Sequence, residues 1–320
     1  MFEYIITRPM GYIIEFIYNL VQNYGVAIIL FTLIIKMILF PLNIKSQKAM
    51  KKQQKIQPIL MELQKKYAND QEKLNRETMK LYKENNISMT GGCLPMLIQM
   101  PILIGLYQVI QRPLSYLLHV DFNESWVIKK VYELRDTFAT GNLATMTEEA
   151  LANTQQMSIA RWAEQAGFTD WVINFKLFFL DLANVPSTAF SYIEEVLNGN
   201  MEHIGIVSLL LIPVLAVAAQ LVSMQISKLT SGQKKKSTDT QPNSAAQMSN
   251  TMMWMMPIMT GFFTLTLPAG IGLYWIVSSV IQIIQQIGLD IYFKNKKEDD
   301  IIVTVPEQKQ LHGKKRKKHK

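Results

Sequence analysis

A single cation lies inside an apolar stretch that is long enough to cross a lipid bilayer. Residues 24–42, YGVAIILFTLIIKMILFPL, would form a helix of roughly 28 Å. Lys36 is the only charge in this stretch, and Thr32 lies one helical turn before it on the same face. A charge in a membrane span costs about 2.5 kcal/mol or more, so Lys36 indicates a functional site. The alternative is that Lys36 only snorkels to the headgroups.

Polar residues in two other apolar stretches favour a hydrated pocket. Gln220 lies in the third stretch, and Trp275 lies in the fifth, which also carries glutamines. With Thr32 and Lys36 they could line a cavity, whereas single polar residues in spans more often join helices. The apolar stretches 94–118, 204–226, 248–267 and 271–289 contain no Asp or Glu. If Lys36 faces inward, we expect its countercharge to come from water or a visiting molecule.

The remaining composition narrows the possible functions. The 320 residues are 49% hydrophobic and carry a net charge of +8, with long apolar and charged blocks in alternation. This pattern is typical of a polytopic membrane protein. Cys93 is the only cysteine, which excludes an intramolecular disulfide and multi-thiolate metal sites. No protease, hydrolase or nucleotide-binding motif occurs, so we expect no enzymatic activity and no cofactor. The N-terminus lacks a basic n-region, so we expect no cleaved signal peptide.

The hydropathy and charge pattern divides the chain into ten segments and predicts an all-α fold. Apolar residues at i, i+3, i+4 and i+7 predict the helical hairpin, and prolines punctuate the second span. From the N-terminus, the segments are an interfacial amphipathic helix (1–23), a first transmembrane helix (24–42), a helical hairpin (43–92), a second transmembrane helix (93–118), a long polar segment (119–203), a third transmembrane helix (204–227), a polar loop (228–247), a fourth transmembrane helix (248–267), a fifth transmembrane helix (271–290) and a basic tail (291–320).

Charge bias predicts the orientation of these segments in the membrane. Residues 43–92 carry eleven basic and five acidic side chains, and the loop 228–247 and the tail are also basic. Residues 119–203 carry five basic and twelve acidic side chains. With five spans, all basic segments fall on one side, which is the cytoplasm by the positive-inside rule. We therefore expect an N-terminus outside and a C-terminus in the cytoplasm. Within 119–203, the apolar run from Trp171 to Leu182 is interpreted as interfacial, with its aromatic residues at headgroup depth.

Several long motifs, in order, resemble the YidC-type membrane protein insertases, which are related to the Oxa and Albino insertases of organelles. The resemblance covers nearly the whole chain, and its short form is similar to that of the Gram-positive members, without their usual lipoprotein cysteine. It is carried by the stretches YGVAIILFTLIIKMILFPL, MKKQQKIQPILMELQKKY, KLYKENNISMTGGCLPMLIQMPILIGLY, FFLDLANVPS and LPAGIGLYWIVSSVIQIIQQ.

The resemblance implies five transmembrane helices around a hydrophilic groove that is open to the cytoplasm and to lipid. Lys36 occupies the motif position that usually holds arginine, and Thr32, Gln220 and Trp275 match groove positions. Lysine keeps the positive charge but loses the planar, bidentate guanidinium. The implied function is insertion and chaperoning of nascent hydrophobic proteins in the cell membrane, without enzymatic chemistry and as a monomer.

The resemblance also implies partners. They are nascent membrane proteins, the lipid bilayer, the Sec translocon and the ribosome. The basic tail resembles ribosome-contacting tails, although such runs bind RNA phosphates and anionic lipid alike. Its basic residues are Lys314, Lys315, Arg316, Lys317, Lys318 and Lys320.

The competing hypothesis is a solute or ion transporter with Lys36 as its substrate site. The missing carboxylates in the apolar stretches and the missing internal repeat argue against a transporter.

Overall fold

The computed structural model describes residues 2–87, 94–230 and 244–295. This part of the chain is mostly helical and divides into two compact units. The first unit comprises Met1–Ile38, Gln99–Gln225 and Thr251–Ile283, and the second comprises Leu39–Ile98, Ile226–Asn250 and Ile284–Lys320.

The elements follow the chain in this order. They are a π-helical turn (Glu3–Thr7), α1 (Arg8–Val21), α2 (Tyr24–Ile38), α3 (Phe40–Lys66), α4 (Gln71–Glu84), α5 (Leu94–Gln111), α6 (Pro113–Leu117), α7 (Ser125–Phe138), α8 (Glu148–Thr154), α9 (Gln156–Gln165), β1 (Lys176–Leu177), β2 (Leu180–Asp181), α10 (Ile193–Leu197), α11 (Ile204–Val207), α12 (Leu211–Thr230), α13 (Ser244–Thr266) and α14 (Ala269–Asn295).

The first apolar stretch forms two helices instead of the single helix predicted for 24–42. Helix α2 ends at Ile38 and α3 begins at Phe40. Pro41 explains the break, because it has no N–H to donate to the carbonyl of Met37 and its ring clashes with that carbonyl in a continuous helix. Lys36 therefore lies in the last turn of α2.

Two helices in the described residues are long and apolar enough to cross a membrane. They cover Met201–Ser227 and Ala269–Phe293, and α2 with α3 gives a third if the pair counts as one broken span. Two shorter apolar helices, Ile98–Gln111 and Met255–Thr266, lie within the predicted second and fourth spans. The chain is thus an α-helical protein with several membrane-spanning candidates.

Helix α1 packs one face on the first unit and leaves the other exposed. Met10, Ile14, Ile17 and Tyr18 are buried, while Phe16 on the opposite face is 67% exposed. Gly11 permits the contact with α6, because a Cβ there would lie 2.8 Å from the ring of Tyr116. The exposed apolar face is compatible with the predicted interfacial position of residues 1–23, which stays a prediction.

Backbone atoms of the segment between Asn174 and Asn184 contact the first turns of two long helices. The N–H of Tyr24 donates to the carbonyl of Asn174 at 3.0 Å. The N–H groups of Ala269 and Gly270 donate to the carbonyls of Asn184 and Leu182 at 2.9 and 3.0 Å. Helix N-termini have free N–H groups that need such acceptors. We refer to residues 174–184 as the clasp, because it joins the first turns of α2 and α14.

Residues 171–182 add detail to two expectations from the sequence. The clasp contains a short antiparallel hairpin in which Lys176 pairs with Asp181, in a chain whose described residues are otherwise mostly helical, as the expected all-α class predicts. Trp171 is 2% exposed and Phe175 4% exposed, because they pack in the protein core. The other two phenylalanines of the run, Phe178 and Phe179, follow β1 and are exposed. Burial in the protein core does not determine depth in a membrane, so the interfacial position of Trp171 and the three phenylalanines stays a prediction.

The second unit contains two helices joined by a short turn at the position of the predicted hairpin. The side chain of Asp70 accepts a hydrogen bond from the N–H of Lys73 at 3.0 Å and caps α4. Ile56 of α3 packs with Leu81 of α4 and with Ile87. These contacts bury the apolar stripe that the helical spacing predicts.

A polar seam joins α3 to the last turns of α14 within the same unit. The amide of Asn43 donates to Gln285 Oε1 at 2.7 Å, and Lys51 Nζ lies 3.2 Å from Asp290 Oδ1. Lys51 also lies 4.8 Å from the ring centroid of Phe293. Asp290 is only 8% exposed, so its charge needs this partner.

Candidate functional site

Thr32 and Lys36 lie on one face of α2, but their side chains are in different environments. Thr32 is fully buried, and its hydroxyl donates to the carbonyl of Ile28 at 2.7 Å. Its hydrogen bond is therefore made within the helix. Lys36 is half-buried one turn further on. Of the two, only Lys36 has solvent-accessible surface for a ligand in this structure.

Gln220 connects three helices in the first unit. It is half-buried on α12, and the hydroxyl of Ser279 in α14 donates to its Oε1 at 3.4 Å. Its Nε2 lies 3.9 Å from the sulfur of Met256 in α13. Both contacts are long and weak, so the amide retains capacity to bind another polar group.

Trp275 lies one turn before Ser279 on α14. Its ring stacks on Phe263 of α13, with 6.2 Å between ring centroids and 9° between the planes. The indole is half-buried and packs against the main apolar core. Ser279 contacts Gln220 of α12, and Trp275 lies on the same face of α14 as Ser279. We call Gln220, Trp275 and Ser279 the amide cluster.

The four predicted site residues lie in one unit as two pairs. Thr32 and Lys36 form the pair on α2, and Gln220 and Trp275 belong to the amide cluster. Ile35 and Trp275 pack against the same apolar core. This packing relates the pairs without defining a groove between them, so the convergence of the four residues on one groove stays a prediction.

Sequence reasoning missed several polar residues of the apolar helices. Ser279 and Thr264 are buried, and Thr264 donates to the carbonyl of Thr260 at 2.8 Å. Gln99 donates to the hydroxyl of Tyr274 at 2.5 Å across α5 and α14. The available signal was a polar residue repeated at i and i+4, as in Thr260 and Thr264 or in Trp275 and Ser279.

The basic tail and the metal-binding residue types complete the comparison with the sequence predictions. The six basic tail residues, Lys314 to Lys320, lie outside the described residues, as does Cys93. Among the described residues, no group of three His, Cys, Asp or Glu side chains could hold a metal ion. The chemistry that remains is polar binding by an amine, an amide and small hydroxyls in an apolar setting.

Comparisons with known proteins relate most of the chain to one family. A family model described as 60Kd inner membrane protein matches residues 16–297. The chain is 30% identical over 281 residues to the membrane protein insertase YidC of Caldanaerobacter subterraneus. The aligned region covers 88% of this chain and 92% of that protein.

Other relatives are more similar over a shorter region. The chain is 45% identical over 125 residues to the membrane protein insertase YidC of Nitratidesulfovibrio vulgaris strain Miyazaki F. It is 48% identical over 105 residues to the insertase of the same name from Syntrophus aciditrophicus. These matches cover 38% and 33% of this chain, but only 23% and 19% of those proteins. The chain thus spans about a quarter of the first relative's length.

Proposed function

Because the chain belongs to the family of the 60Kd inner membrane protein, we propose that it is a membrane protein insertase and chaperone. It takes nascent hydrophobic proteins from the cytoplasm into the lipid bilayer. The observation that carries the proposal is the match to an insertase along 88% of this chain and 92% of the relative. These relatives give the transporter alternative no support.

The proposed architecture is five transmembrane helices around a hydrophilic groove. Helices α2, α5, α12, α13 and α14 are the candidates, and the apolar lengths of α12 and α14 support their assignment as spans. The N-terminus lies outside the cell and the tail in the cytoplasm, which the basic residues of the hairpin support. In this arrangement the hairpin meets the client at the cytoplasmic face.

The proposed mechanism is non-enzymatic and depends on Lys36. The short polar tail of a client enters the groove, where the amine attracts its acidic residues. This attraction is stronger than in water, because the surrounding apolar helices lower the effective dielectric constant. The amide cluster offers further hydrogen bonds and lowers the cost of removing the tail from water. The apolar segment of the client then leaves sideways into lipid by the hydrophobic effect.

The proposed partners follow from this activity. The protein acts as a monomer on nascent membrane proteins, alone or beside the Sec translocon. The tail residues Lys314 to Lys320 contact ribosomal RNA or anionic lipid, since a basic run binds the phosphates of both.

Reconstitution of the purified full chain in liposomes tests the proposal. We expect it to insert a single-span client with an acidic N-terminal tail, measured by protease protection of the translocated tail. Protein-free liposomes give the background. Solute or ion flux without client insertion would overturn the proposal and favour a transporter.

A further inference from the structure

A polar cavity of about 870 Å³ lies in the first unit, apart from the residues assigned to client binding. Charged residues of both signs line it: Arg8 and Arg112 against Glu3, Asp121 and Glu149. Its volume far exceeds the share of a water molecule, about 30 Å³. The cavity therefore has room for an organic group that carries charges of both signs.

The local sequence explains why Arg112 lines this cavity. A residue before proline is driven out of the helical region, and Arg112 has φ −120° and ψ 55° between α5 and α6. Its Nε donates to the carbonyl of Asn153, which orients the guanidinium. The break at Pro113 thus places a cation between α6 and the helices that follow.

Three charges of the cavity wall form no ion pair within the part of the chain that the structure describes. Arg8 is paired with Glu3 at 3.9 Å, and His119 lies 3.0 Å from Glu15. Among the described residues, no oppositely charged group lies within 4.0 Å of Arg112, Asp121 or Glu149. The Asp121 carboxylate accepts hydrogen bonds from the backbone N–H and the side-chain amide of Asn123, a neutral residue. The wall therefore offers one guanidinium to an anion and two carboxylates to a cation.

An apolar groove of about 400 Å³ adjoins the cavity. It runs between α1 and α2 and is lined by Tyr12, Ile13, Phe16, Ile17, Leu20, Val21, Leu30 and Ile34. Tyr12 lines both hollows, and its ring lies 6.2 Å from that of His119. Phe16 and Leu20 are 67% and 69% exposed, so an acyl chain could cover them.

We propose that the cavity and the groove together bind one phospholipid with an amino headgroup, such as phosphatidylethanolamine. Its phosphate lies at Arg112, its ammonium faces Asp121 and Glu149, and one acyl chain follows the groove. The charges of both signs in the cavity wall complement a zwitterionic headgroup. Because the cavity and the apolar groove share Tyr12, an amphiphile fits them better than a free ion does. The proposal goes beyond insertion, because none of these residues belongs to the client site.

Native mass spectrometry of the full chain, delipidated in detergent, tests the proposal. Phosphatidylethanolamine and phosphatidylglycerol are added separately, and the lipid retained per chain is compared. We expect retention of one phosphatidylethanolamine and weaker retention of phosphatidylglycerol, which has no ammonium. R112A should weaken phosphatidylethanolamine binding about tenfold or more, the worth of a charged hydrogen bond.

Two further variants keep the outcome interpretable if R112A folds poorly. E149Q changes an exposed side chain and should weaken phosphatidylethanolamine binding but leave phosphatidylglycerol unchanged. K129A removes an exposed cation of α7 that does not line the cavity, so it should bind as the unaltered chain does.

Three outcomes would overturn the proposal. The first is equal retention of both lipids, and the second is equal loss with K129A and R112A. The third is displacement by glycerophosphoethanolamine, which has no acyl chains, at the same concentration as the lipid. Lipid retention is measured without any client, so its failure is distinct from a failure of insertion.

Discussion

Lys36 is the residue on which the proposed mechanism depends most. It lies two residues before the end of α2 and is half-buried, a position from which an amine reaches either a polar groove or the headgroups. A snorkelling lysine and a client-binding lysine share this geometry. They differ in what the loss of the charge does to a client that carries an opposite charge.

We predict that K36A slows the insertion of an acidic-tailed client about tenfold, because a charge-assisted hydrogen bond contributes about 1.5–3 kcal/mol. K36R should insert at a rate near that of the unaltered chain, since it keeps the charge. The measurement is the initial rate of protease-protected client in liposomes. A client with a neutral tail is the control and should lose little. Full activity of K36A on the acidic tail would leave Lys36 as a snorkel only.

The helices show which packing contacts can be predicted from a sequence and which cannot. Hydropathy located the apolar stretches, and the stripe around Ile56 and Leu81 predicted the packing between α3 and α4. Hydropathy did not predict the end of α2, because it measures the apolar character of Pro41 and not the N–H that proline lacks. The seam between Lys51 and Asp290 joins residues that are far apart along the chain, and no periodicity reports such a pair.

Gly272 tests how closely α12 and α14 pack. A Cβ at this position would lie 2.3 Å from Cγ2 of Ile212, a methyl group close to its own backbone that cannot move far. We predict that G272A destabilises the protein by about 1–3 kcal/mol through overpacking and lowers Tm in detergent. Gly288 on the same helix is the matched control, because no described heavy atom lies within 4 Å of its Cβ position. G288A should leave Tm equal or higher, since alanine favours the helix.

The pair of Lys51 and Asp290 should contribute measurable coupling. Its side chains are 20% and 10% exposed, so water screens the charges less than at the surface. We predict a coupling of about 1–2 kcal/mol in a double-mutant cycle with K51M, D290N and both, measured by unfolding in denaturant. The exposed pair of Arg76 and Glu72, 3.4 Å apart on α4, is the control and should couple by less than about 0.5 kcal/mol. Equal coupling in the two pairs would contradict the role given to burial.

The whole chain alternates basic and acidic segments, and this pattern is the basis of the proposed topology. The hairpin is basic, and the polar segment 119–203 is acidic. If the positive-inside rule governs insertion, these segments lie on opposite sides of the membrane. The five-span count follows from the same argument, because an additional span would separate the basic segments.

Cysteine labelling of intact cells checks this topology. In a C93S background, we predict that a cysteine replacing exposed Lys129 reacts with a membrane-impermeant maleimide. A cysteine replacing exposed Lys80 should react only after lysis. The reagent is followed by the mass increase of the purified protein. Labelling of both sites from outside would refute the five-span arrangement while leaving the family assignment intact.

The sequence predicted the family and the helical class of the molecule better than its site. Long apolar runs are local properties, and the comparisons confirm the resemblance that they carried. The sequence could not predict the hydrogen bond of Thr32, because its hydroxyl can donate either to a groove ligand or to a carbonyl of its own helix, and in the structure it donates to the helix. The fold of residues 119–203 was likewise hidden, since Trp171 is buried by neighbours from several elements.

The clasp has a consequence for how this protein can change over generations. Its bonds to Tyr24, Ala269 and Gly270 run from main chain to main chain, so they do not depend on which side chains the clasp carries. Substitutions can accumulate there without altering the joint. A one-residue deletion between Asn174 and Leu182 would instead move one acceptor carbonyl relative to the others. We therefore expect selection to preserve the length of this segment more strictly than the identities of its residues.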